Sequence, residues 1–376
     1  YAGLASITTT ADSNTAGDGN CSLREAITDS NAGSNVSGDC VGVAGTTNTF
    51  LIPAGAYTLS STLPAITSNI TISKVGGGTV SIQANAAANA AAYRVFTVGS
   101  TGSLTLNIIT VRNGGNGSNA PTLGGCIFVD GTLIVQNSSI NNCYAANSGG
   151  GIYANTGSTV TVTSSSVSSN QTVFVGAGIY CSACTLTLTG ATISSNVINQ
   201  PYIANGAAGV YCNTCTLSIT GTTFSSNSVS NTGGPAYGAA LIIEYTGSYT
   251  ISNSTFTNNS VTSSSSAYGG AIALVSGTPV VPISGSVFSG NTSGNVGGAI
   301  AVLAGTVALD TSRIVSNTAT VNGAAIYSEA PSGVSTIRGS CITSNAGSAV
   351  FDSGNAGTID ATGGGSAANA NWWGTS

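Results

Sequence analysis

The sequence contains no histidine and no methionine, and charged residues make up only 5% of its 376 residues. Without histidine the chain cannot build a Ser-His-Asp triad, and it lacks the side chain most often used for acid-base catalysis near neutral pH. Six basic against 11 acidic residues give a net charge of −5, the opposite of what nucleic-acid binding requires. No run of 18 apolar residues is present, so the sequence predicts no membrane-spanning helix.

The compartment is indicated by the start of the chain and by its cysteines. Because the sequence begins at Tyr1 and has no methionine, we interpret it as the processed form of a precursor whose N-terminal signal has been removed. Nine cysteines in so weakly charged a chain favour disulfides and an oxidising environment. We therefore expect an extracellular or cell-surface protein.

What the sequence has in abundance is repetition. A cluster of small residues with one aliphatic residue is followed by a strand-like run and then by an aliphatic-x-x-Asn phrase, and this order recurs along the chain. Successive aliphatic members lie 24 to 31 residues apart: Ile127, Ile152, Ile179, Val210, Leu241, Ile272, Ile300, Ile326 and Val350. Near-equal periods of this size are typical of a solenoid, in which each repeat buries its apolar side against its neighbours.

Alternation within a period indicates which kind of solenoid this is. In Thr185–Thr189 and Thr216–Thr220, hydroxyl and aliphatic side chains alternate with a period of two, as in a strand with one dry face. The composition, with 52 glycines, gives no support to a helical repeat. We predict an all-β, single-domain parallel β-helix of about twelve coils, with a short amphipathic capping helix over residues 21–31.

The aliphatic-x-x-Asn phrase predicts two stacked columns. The first is an internal core stack, formed by Ile140, Val167, Ile193, Phe224, Phe256, Phe288, Ile314 and Ile342. The second is an asparagine ladder, formed by Asn170, Asn196, Asn227, Asn259, Asn291, Asn317 and Asn345. Asparagine tolerates left-handed backbone, and its amide can bond both the chain and neighbouring amides. The alternative, in which these asparagines are only turn residues, fits the same fold.

These patterns divide the chain into a cap and one long solenoid. We assign residues 1–49 to an N-terminal cap and 50–376 to the β-helix. Within the β-helix, residues 50–120 read as about three irregular coils, 121–351 as regular repeats, and 352–376 as a final coil and cap. A β-helix exposes unpaired strand edges at its ends. Trp372 and Trp373 either cover the last coil or dock another subunit there.

The cysteine spacings predict disulfides. Cys21 with Cys40 and Cys126 with Cys143 form plausible staples, and Cys341 is left over, facing outward. Two Cys-x-x-Cys loops, Cys181 with Cys184 and Cys212 with Cys215, occupy equivalent positions one period apart. For these loops three alternatives stay open: a bridge inside each loop, bridges between adjacent turns, or a four-thiolate zinc site.

Two segments resemble known protein families. The phrases Phe224–Asn227, Phe256–Asn259 and Gly270–Ile272 resemble the FxxN and GGA(I/L/V) repeats of polymorphic outer-membrane-protein adhesins. Asp18–Ile27 resembles the CSLREA segment of secreted or surface bacterial β-helix proteins, and Asn371–Gly374 resembles the ending of such proteins. The resemblance implies a right-handed parallel β-helix displayed outside the cell, with adhesive or structural roles. The adhesins end in a membrane barrel, for which the 24 residues after Asp352 are too few.

The sequence offers little for catalysis. Lyases and glycosidases on β-helices need carboxylates close together, whereas five acids fall in different columns or distant turns: Asp130, Glu244, Asp310, Glu329 and Asp352. Four acids concentrate near the N-terminus: Asp12, Asp18, Asp29 and Asp39. They either hold calcium or are solvated loop acids, and their spacing is not that of a known calcium loop. We predict a protein that is not an enzyme and uses no cofactor or metal.

The remaining expectation is a mechanical function. Low charge leaves little repulsion between copies, so we predict a surface fibre subunit or adhesive rod that self-associates through its ends and through its sides. A surface glycan or a host-cell ligand is the other expected partner. Outward Thr159/Thr161/Thr163 and Thr185/Thr187/Thr189 form a flat hydroxyl face that also fits carbohydrate or ice. The alternatives are therefore a carbohydrate-binding or polysaccharide-degrading β-helix and an ice-binding protein.

Overall fold

The computed structural model describes residues 3–115, 120–200, 206–329, 334–353, 358–360 and 372–373. These residues form a mostly-β, single parallel β-solenoid of about nine turns, with one short helix near the N-terminus. The parallel solenoid predicted from the repeats is therefore confirmed, whereas about twelve coils is too many. Among the described residues, no helix has the length and apolarity that a membrane span requires.

The first half of the solenoid contains the helix and 18 strands. Helix α1 comprises Leu23–Ala32. The strands are, in chain order, β1 (Gly3–Ser6), β2 (Thr47–Thr58), β3 (Asn69–Gln83), β4 (Phe96–Val98), β5 (Ser103–Asn107), β6 (Thr110–Arg112), β7 (Ile127–Val129), β8 (Thr132–Gln136), β9 (Ser139–Asn141), β10 (Tyr144–Ala145), β11 (Ile152–Ala154), β12 (Thr159–Thr163), β13 (Ser166–Ser168), β14 (Gln171–Thr172), β15 (Ile179–Ser182), β16 (Thr185–Thr189), β17 (Thr192–Ser194) and β18 (Val197–Gln200).

The second half continues the same order of strands. They are β19 (Val210–Asn213), β20 (Thr216–Thr220), β21 (Thr223–Ser225), β22 (Ser228–Asn231), β23 (Ala236–Tyr237), β24 (Leu241–Glu244), β25 (Ser248–Ser252), β26 (Thr255–Thr257), β27 (Ser260–Ser263), β28 (Ala267–Tyr268), β29 (Ile272–Ser276), β30 (Val280–Ser284), β31 (Val287–Ser289), β32 (Thr292–Ser293), β33 (Ile300–Val302), β34 (Thr306–Asp310), β35 (Arg313–Val315), β36 (Thr318–Ala319), β37 (Ile326–Ser328), β38 (Val334–Arg338), β39 (Cys341–Thr343), β40 (Val350–Asp352), β41 (Thr358–Asp360) and β42 (Trp372–Trp373).

Each regular turn places four strands on three sheets. In one such turn β11 lies in a ten-stranded sheet, β12 and β13 lie in a 23-stranded sheet, and β14 lies in a seven-stranded sheet. We call the 23-stranded sheet the long sheet. Strands β23 and β28 add a separate pair. Every pairing is parallel, so each strand contacts its equivalent in the turn before and the turn after, as the solenoid argument requires.

The sequence columns become columns of the structure. Ile152 pairs with Ile127 on one side and with Ile179 on the other, and this register runs down the whole ten-stranded sheet to Val350. The core stack follows the long sheet in the same way, from Ile140 to Ile342. Both columns lie in one continuous apolar core.

The coil count is lower than predicted because the first strands belong to only one sheet. Strands β2 and β3 are 12 and 15 residues long and pair with each other in the long sheet. The ten-stranded sheet begins only at β4, and the seven-stranded sheet begins at β10. The connections before β4 therefore add layers to the long sheet without completing regular turns. A further irregularity lies opposite Ala54, where residues 76–79 of β3 are extra and protrude.

Helix α1 covers the N-terminal end of the core. Leu23, Ala26 and Ile27 pack into the first layers, as their spacing predicts. Glu25 does not lie on the polar side of this amphipathic helix, because Ser22 and Glu25 form a capping box that draws the Glu25 side chain inward. Its Oε2 accepts a hydrogen bond of 3.0 Å from the Ser22 backbone N–H. Arg24 is not a solvated charge either, since it pairs with Asp12 at 2.8 Å.

The outer edge of β1 is also covered. The chain around Gly42 passes so close that a Cβ there would lie 2.0 Å from the Leu4 carbonyl oxygen, and Gly42 has a φ of +100° that favours glycine. The Cys21–Cys40 disulfide ties this segment to the start of α1. The N-terminal end of the solenoid is thus closed by its own chain, which is the usual protection of an otherwise unpaired strand edge.

Candidate functional site

A groove runs along one corner of the long sheet. In four successive turns, the five-residue strand ends at a residue with left-handed backbone before the short strand begins: Ile108, Asn137, Ser164 and Gly190, with φ between +47° and +59°. The same corner recurs in later turns with left-handed residues at Gly221, Asn253, Gly285, Thr311 and Gly339, so the corner alone does not form a groove. At the first four turns it is flanked by the protruding residues 76–79 of β3, and there the stacked corners line one groove parallel to the solenoid axis. We call this surface the axial groove.

The axial groove has a volume of ≈ 610 Å³ and a lining rich in hydroxyl groups. Serine, threonine and asparagine dominate, for example Asn137, Ser139, Ser166 and Thr192. Several hydroxyls are already ordered, since Ser166 Oγ donates to Ser139 Oγ at 2.8 Å. The described lining includes no carboxylate and no aromatic ring. Such a surface offers many neutral hydrogen-bonding groups and no carboxylate for acid-base catalysis.

One end of the axial groove is formed by the protruding segment of β3. Residues Gly78, Thr79 and Lys74 line that end. Lys74 is the only lysine in the chain. Its half-buried ammonium is therefore the single positive charge in the lining, and it can donate up to three hydrogen bonds. Nothing in the repeat pattern predicts this groove, because residues 76–79 of β3 have no counterpart in the repeat.

Beside the groove, the long sheet presents the predicted hydroxyl face. Thr159, Thr161 and Thr163 stand in register with Thr185, Thr187 and Thr189 of the next turn. The face continues through Thr216, Ser218 and Thr220. It is interrupted by Ile134 on one side and by Pro282 on the other. The face therefore combines a flat array of hydroxyls with a groove at its corner.

The predicted asparagines form a buried ladder. Six side chain to side chain bonds of 2.9 to 3.1 Å run from Asn170 to Asn345, each Nδ2 donating to the next Oδ1. Each backbone N–H from Asn170 to Asn317 also donates to the Oδ1 of the following turn. The left-handed residue is the one before each ladder asparagine. Examples are Ser195, Ser226 and Asn258, with φ between +54° and +55°. Of the two properties that predicted asparagine here, tolerance of left-handed backbone is therefore not used at the ladder positions, whereas the amide bonds to the chain and to neighbouring amides are confirmed.

The cysteines pair as two staples and two local bridges. Cys21 pairs with Cys40 and Cys126 with Cys143, with Cα atoms 4.7 and 5.4 Å apart. Of the alternatives for the Cys-x-x-Cys loops, the structure has the bridge inside each loop: Cys181 with Cys184 and Cys212 with Cys215. The two loops stack, since Cys181 and Cys212 are register partners. Cys341 is a free, half-buried thiol.

The four N-terminal acids do not converge on one site. Asp39 accepts hydrogen bonds from the backbone N–H groups of Gly17 and Gly19, at 2.6 and 2.9 Å. Asp12 pairs with Arg24, and Asp29 accepts from the backbone N–H and hydroxyl of Ser37. The described residues contain no group of three acids, cysteines or histidines placed to hold a metal ion. The four acids therefore share no calcium site: Asp18 is exposed, whereas Asp12, Asp29 and Asp39 are held by the hydrogen bonds above.

The other acids are distributed as the sequence analysis expects. Asp130 accepts a 2.7 Å bond from the Asn155 amide. Glu244 accepts a hydrogen bond from the Tyr211 hydroxyl, and Glu329 accepts one from Tyr327. The described structure places these three carboxylates on different turns, and none lies in the axial groove.

Tyrosine side chains form a second stack on the outside of the ten-stranded sheet. Phe128, Tyr153, Tyr180 and Tyr211 are nearly parallel, with ring centroids 4.9 to 5.4 Å apart. Arg94 lies 5.0 Å from the centroid of Phe128 at one end. Burial raises the pKa of Tyr211 far above its ordinary value, and the hydrogen bond to Glu244 raises it further. Because the ring faces cover one another, this stack is a packing element.

The buried tyrosines predict that the free energy of unfolding decreases at alkaline pH. Burial raises the pKa of Tyr249 and of Tyr327 to about 12, from a value of 10.0 in an exposed side chain. The unfolded chain therefore loses these protons first, so stability is full below pH 10 and falls as the pH rises towards 12.

At acid pH the corresponding group is Asp12. Burial opposes ionisation of this carboxyl, but hydrogen bonds from Arg24 and Ser60 hold its pKa below the ordinary value. The stability that the ionised Asp12 contributes is therefore lost only below about pH 4.

Denaturant midpoints at pH 7, 10 and 12 measure the alkaline effect. We expect the midpoint of the wild-type protein to fall clearly between pH 10 and 12. The midpoint of Tyr249→Phe should fall less, because phenylalanine cannot ionise. An equal fall in both proteins would contradict the assignment to Tyr249.

Comparisons with known proteins leave the family undetermined. No family model matches the chain, and neither a curated protein nor a solved structure matches it. The strand pairing shows a parallel β-solenoid without identifying a family, so the surface just described is the basis for any proposed function.

Proposed function

We propose that this protein is a non-catalytic extracellular structural or adhesive solenoid that binds a neutral polysaccharide along the axial groove. The observation that carries the proposal is the groove itself, which spans four turns and has a lining of hydroxyl and amide groups with a single lysine. The resemblance to CSLREA-type surface proteins supports the extracellular location and a right-handed coil.

The periodicity of the groove suits a periodic ligand. Adjacent turns lie about 4.8 Å apart, so the same kind of hydrogen-bonding group recurs at this spacing along the groove. An extended polysaccharide lying parallel to the axis would meet equivalent groups at each step. A neutral chain fits best, because the protein carries a net charge of −5 and Lys74 is the only cation in the lining.

Absence of a catalytic arrangement in the groove supports binding without turnover. Hydrolysis of a glycosidic bond uses two carboxyl groups on either side of the bond. The described lining offers none, and the carboxylates of Asp130, Glu244 and Glu329 have hydrogen-bond partners elsewhere. We therefore expect the bound polymer to remain intact.

A titration of the chain with a neutral polysaccharide tests the proposal. A polysaccharide microarray identifies the best neutral probe, and calorimetry then gives its affinity. Ser166→Tyr places a ring in the middle of the axial groove and should weaken binding at least about tenfold, or ~1.4 kcal/mol. Thr255→Tyr is the matched control, because Thr255 occupies the equivalent position of the sheet beyond the groove and should leave affinity unchanged.

Two results would reject the groove as the binding site. One is no binding to any neutral polysaccharide, and the other is an equal effect of Ser166→Tyr and Thr255→Tyr. Release of reducing ends from the bound polymer would instead reject the non-catalytic assignment.

A second candidate function is a fibre subunit. The flat hydroxyl face and the low charge favour contact between copies, because little electrostatic repulsion opposes it. The closed N-terminal end favours side-by-side over end-to-end association. Trp372 and Trp373 pair through their backbone with β39, but their side chains, and hence the proposed docking role, lie outside what the structure describes. Negative-stain images of purified protein distinguish fibres from single rods, and a thermal-hysteresis assay tests ice binding by the same face.

A further inference from the structure

The N-terminal cap contains two buried acids without a cationic partner. Glu25 and Asp29 lie one turn apart on α1 and are 1% and 0% exposed. The ion pair found in the described structure joins Arg24 to Asp12, on the other side of the helix, so it neutralises neither. Like charges at this spacing repel each other, and a buried charge without compensation is strongly unfavourable. The described residues place no cation beside this pair, so a cation from outside the chain would stabilise it.

One oxygen of this pair has no hydrogen bond. Glu25 Oε2 is used by the capping box, whereas Glu25 Oε1 is buried and has no partner. Asp29 Oδ1 and Oδ2 each accept one bond from Ser37, which leaves each oxygen with a further lone pair. Three carboxylate oxygens are thus available for an additional ligand.

These acids line a small cavity. Its volume is ≈ 180 Å³, and its other walls include Asn14, Thr28 and Ser37. Thr28 and Asn14 in its walls can add two neutral oxygen ligands, and Thr28 Oγ1 keeps its lone pairs because it donates, rather than accepts, a hydrogen bond with the Arg24 carbonyl. All of the donors are hard oxygen groups, with neither nitrogen nor sulfur ligands, and the cavity has room for water molecules as well.

We propose that this cavity binds one calcium ion, with Glu25 and Asp29 as its charged ligands. Calcium takes 6–8 oxygen ligands in a flexible geometry, which suits two carboxylates, a hydroxyl, an amide oxygen and water. Magnesium is less suitable, because it demands a near-ideal octahedron and gives up its water reluctantly. The ion neutralises the buried pair and holds α1 against the segment that the Cys21–Cys40 disulfide closes.

Hydrogen exchange of the full-length protein provides a local test. Extracellular calcium sites have dissociation constants of about 10⁻⁴–10⁻³ M, so ~10 mM CaCl2 should stabilise the cap about 10- to 100-fold in its opening equilibrium. We expect the amides of residues 23–33 to exchange correspondingly more slowly in CaCl2 than in EDTA at matched ionic strength. Calorimetry with CaCl2 should show one site.

Two variants complete the experiment. Glu25→Gln preserves the capping box, since glutamine is also favoured there, and should abolish both the protection and the calorimetric signal. Asp18→Asn removes an exposed acid of the same segment and should retain both. The proposal is overturned if wild-type protein gives no calcium-dependent protection, if NaCl or MgCl2 protects equally, or if Glu25→Gln responds like the wild type.

Discussion

Replacing Asn227 by alanine is expected to destabilise the solenoid by about 3–5 kcal/mol. The side chain is fully buried, and its Oδ1 accepts from both the backbone N–H and the Nδ2 of Asn196, at 3.2 and 3.0 Å. Its Nδ2 donates to the Ile193 carbonyl and to Asn259 Oδ1, both at 2.9 Å. Alanine removes all four bonds. The Asn196 N–H and the Ile193 carbonyl then stay buried without these partners, at about 1–3 kcal/mol for each unsatisfied group.

Denaturant unfolding measures the loss, and an exposed asparagine provides the control. Asn199 lies on the surface of β18, three residues after the ladder position of the preceding turn. Asn199→Ala should change stability by less than about 0.5 kcal/mol. If the two variants have the same midpoint and slope, the ladder contributes nothing beyond turn formation, which was the alternative that the sequence left open.

The ladder also shows why the fold could be predicted from the sequence. In a solenoid, residues that touch are one period apart, so the column from Ile127 to Val350 can be read as a list of contacts. The aliphatic-x-x-Asn phrase specifies two such columns at once, one dry and one polar. Contacts between residues far apart in the chain are normally not predictable from one sequence. Here they can be predicted, because the contacting residues occupy equivalent positions of successive repeats.

The parts that escaped prediction depend on backbone geometry. The axial groove depends on the extra residues 76–79 of β3, and its left-handed corner residues, as different as Ile108 and Gly190, share no sequence signature. The sequence could not distinguish bridges inside each Cys-x-x-Cys loop from bridges between adjacent turns, because both bring cysteine Cα atoms to about 5 Å from each other. The inward position of Glu25 was readable, since Ser22 followed by Glu25 is a capping-box pattern that outweighs amphipathic spacing.

The unpaired acids and the groove lie at the same end of the molecule for a structural reason. Regular turns can reuse one set of contacts, whereas the first layers must change from a helix and long strands to the three-sheet repeat. That change produces the cavity beside α1 and the protruding segment at Lys74. Irregular residues are therefore where a repetitive chain can place a distinctive site.

Replacing Phe256 by alanine is expected to destabilise the protein by about 3–5 kcal/mol, as for other buried phenylalanines. The ring is fully buried between Phe224 and Phe288, with centroids 4.8 and 4.7 Å away and planes within 5° of parallel. Alanine leaves a cavity in the middle turn, and both neighbouring rings lose contact on one face. Because each turn is stabilised by its two neighbours, the damage affects the interfaces on both sides.

Phe256→Leu separates loss of volume from loss of stacking. Leucine retains most of the apolar contact, so we expect a smaller cost of about 1–1.5 kcal/mol. Phe174 is 38% exposed and provides the control, since Phe174→Ala should cost less than about 0.5 kcal/mol. Denaturant midpoints of the three variants measure these differences. A Phe256→Ala protein as stable as Phe174→Ala would show that these rings do not share one core, and the stacked-turn interpretation would then be wrong.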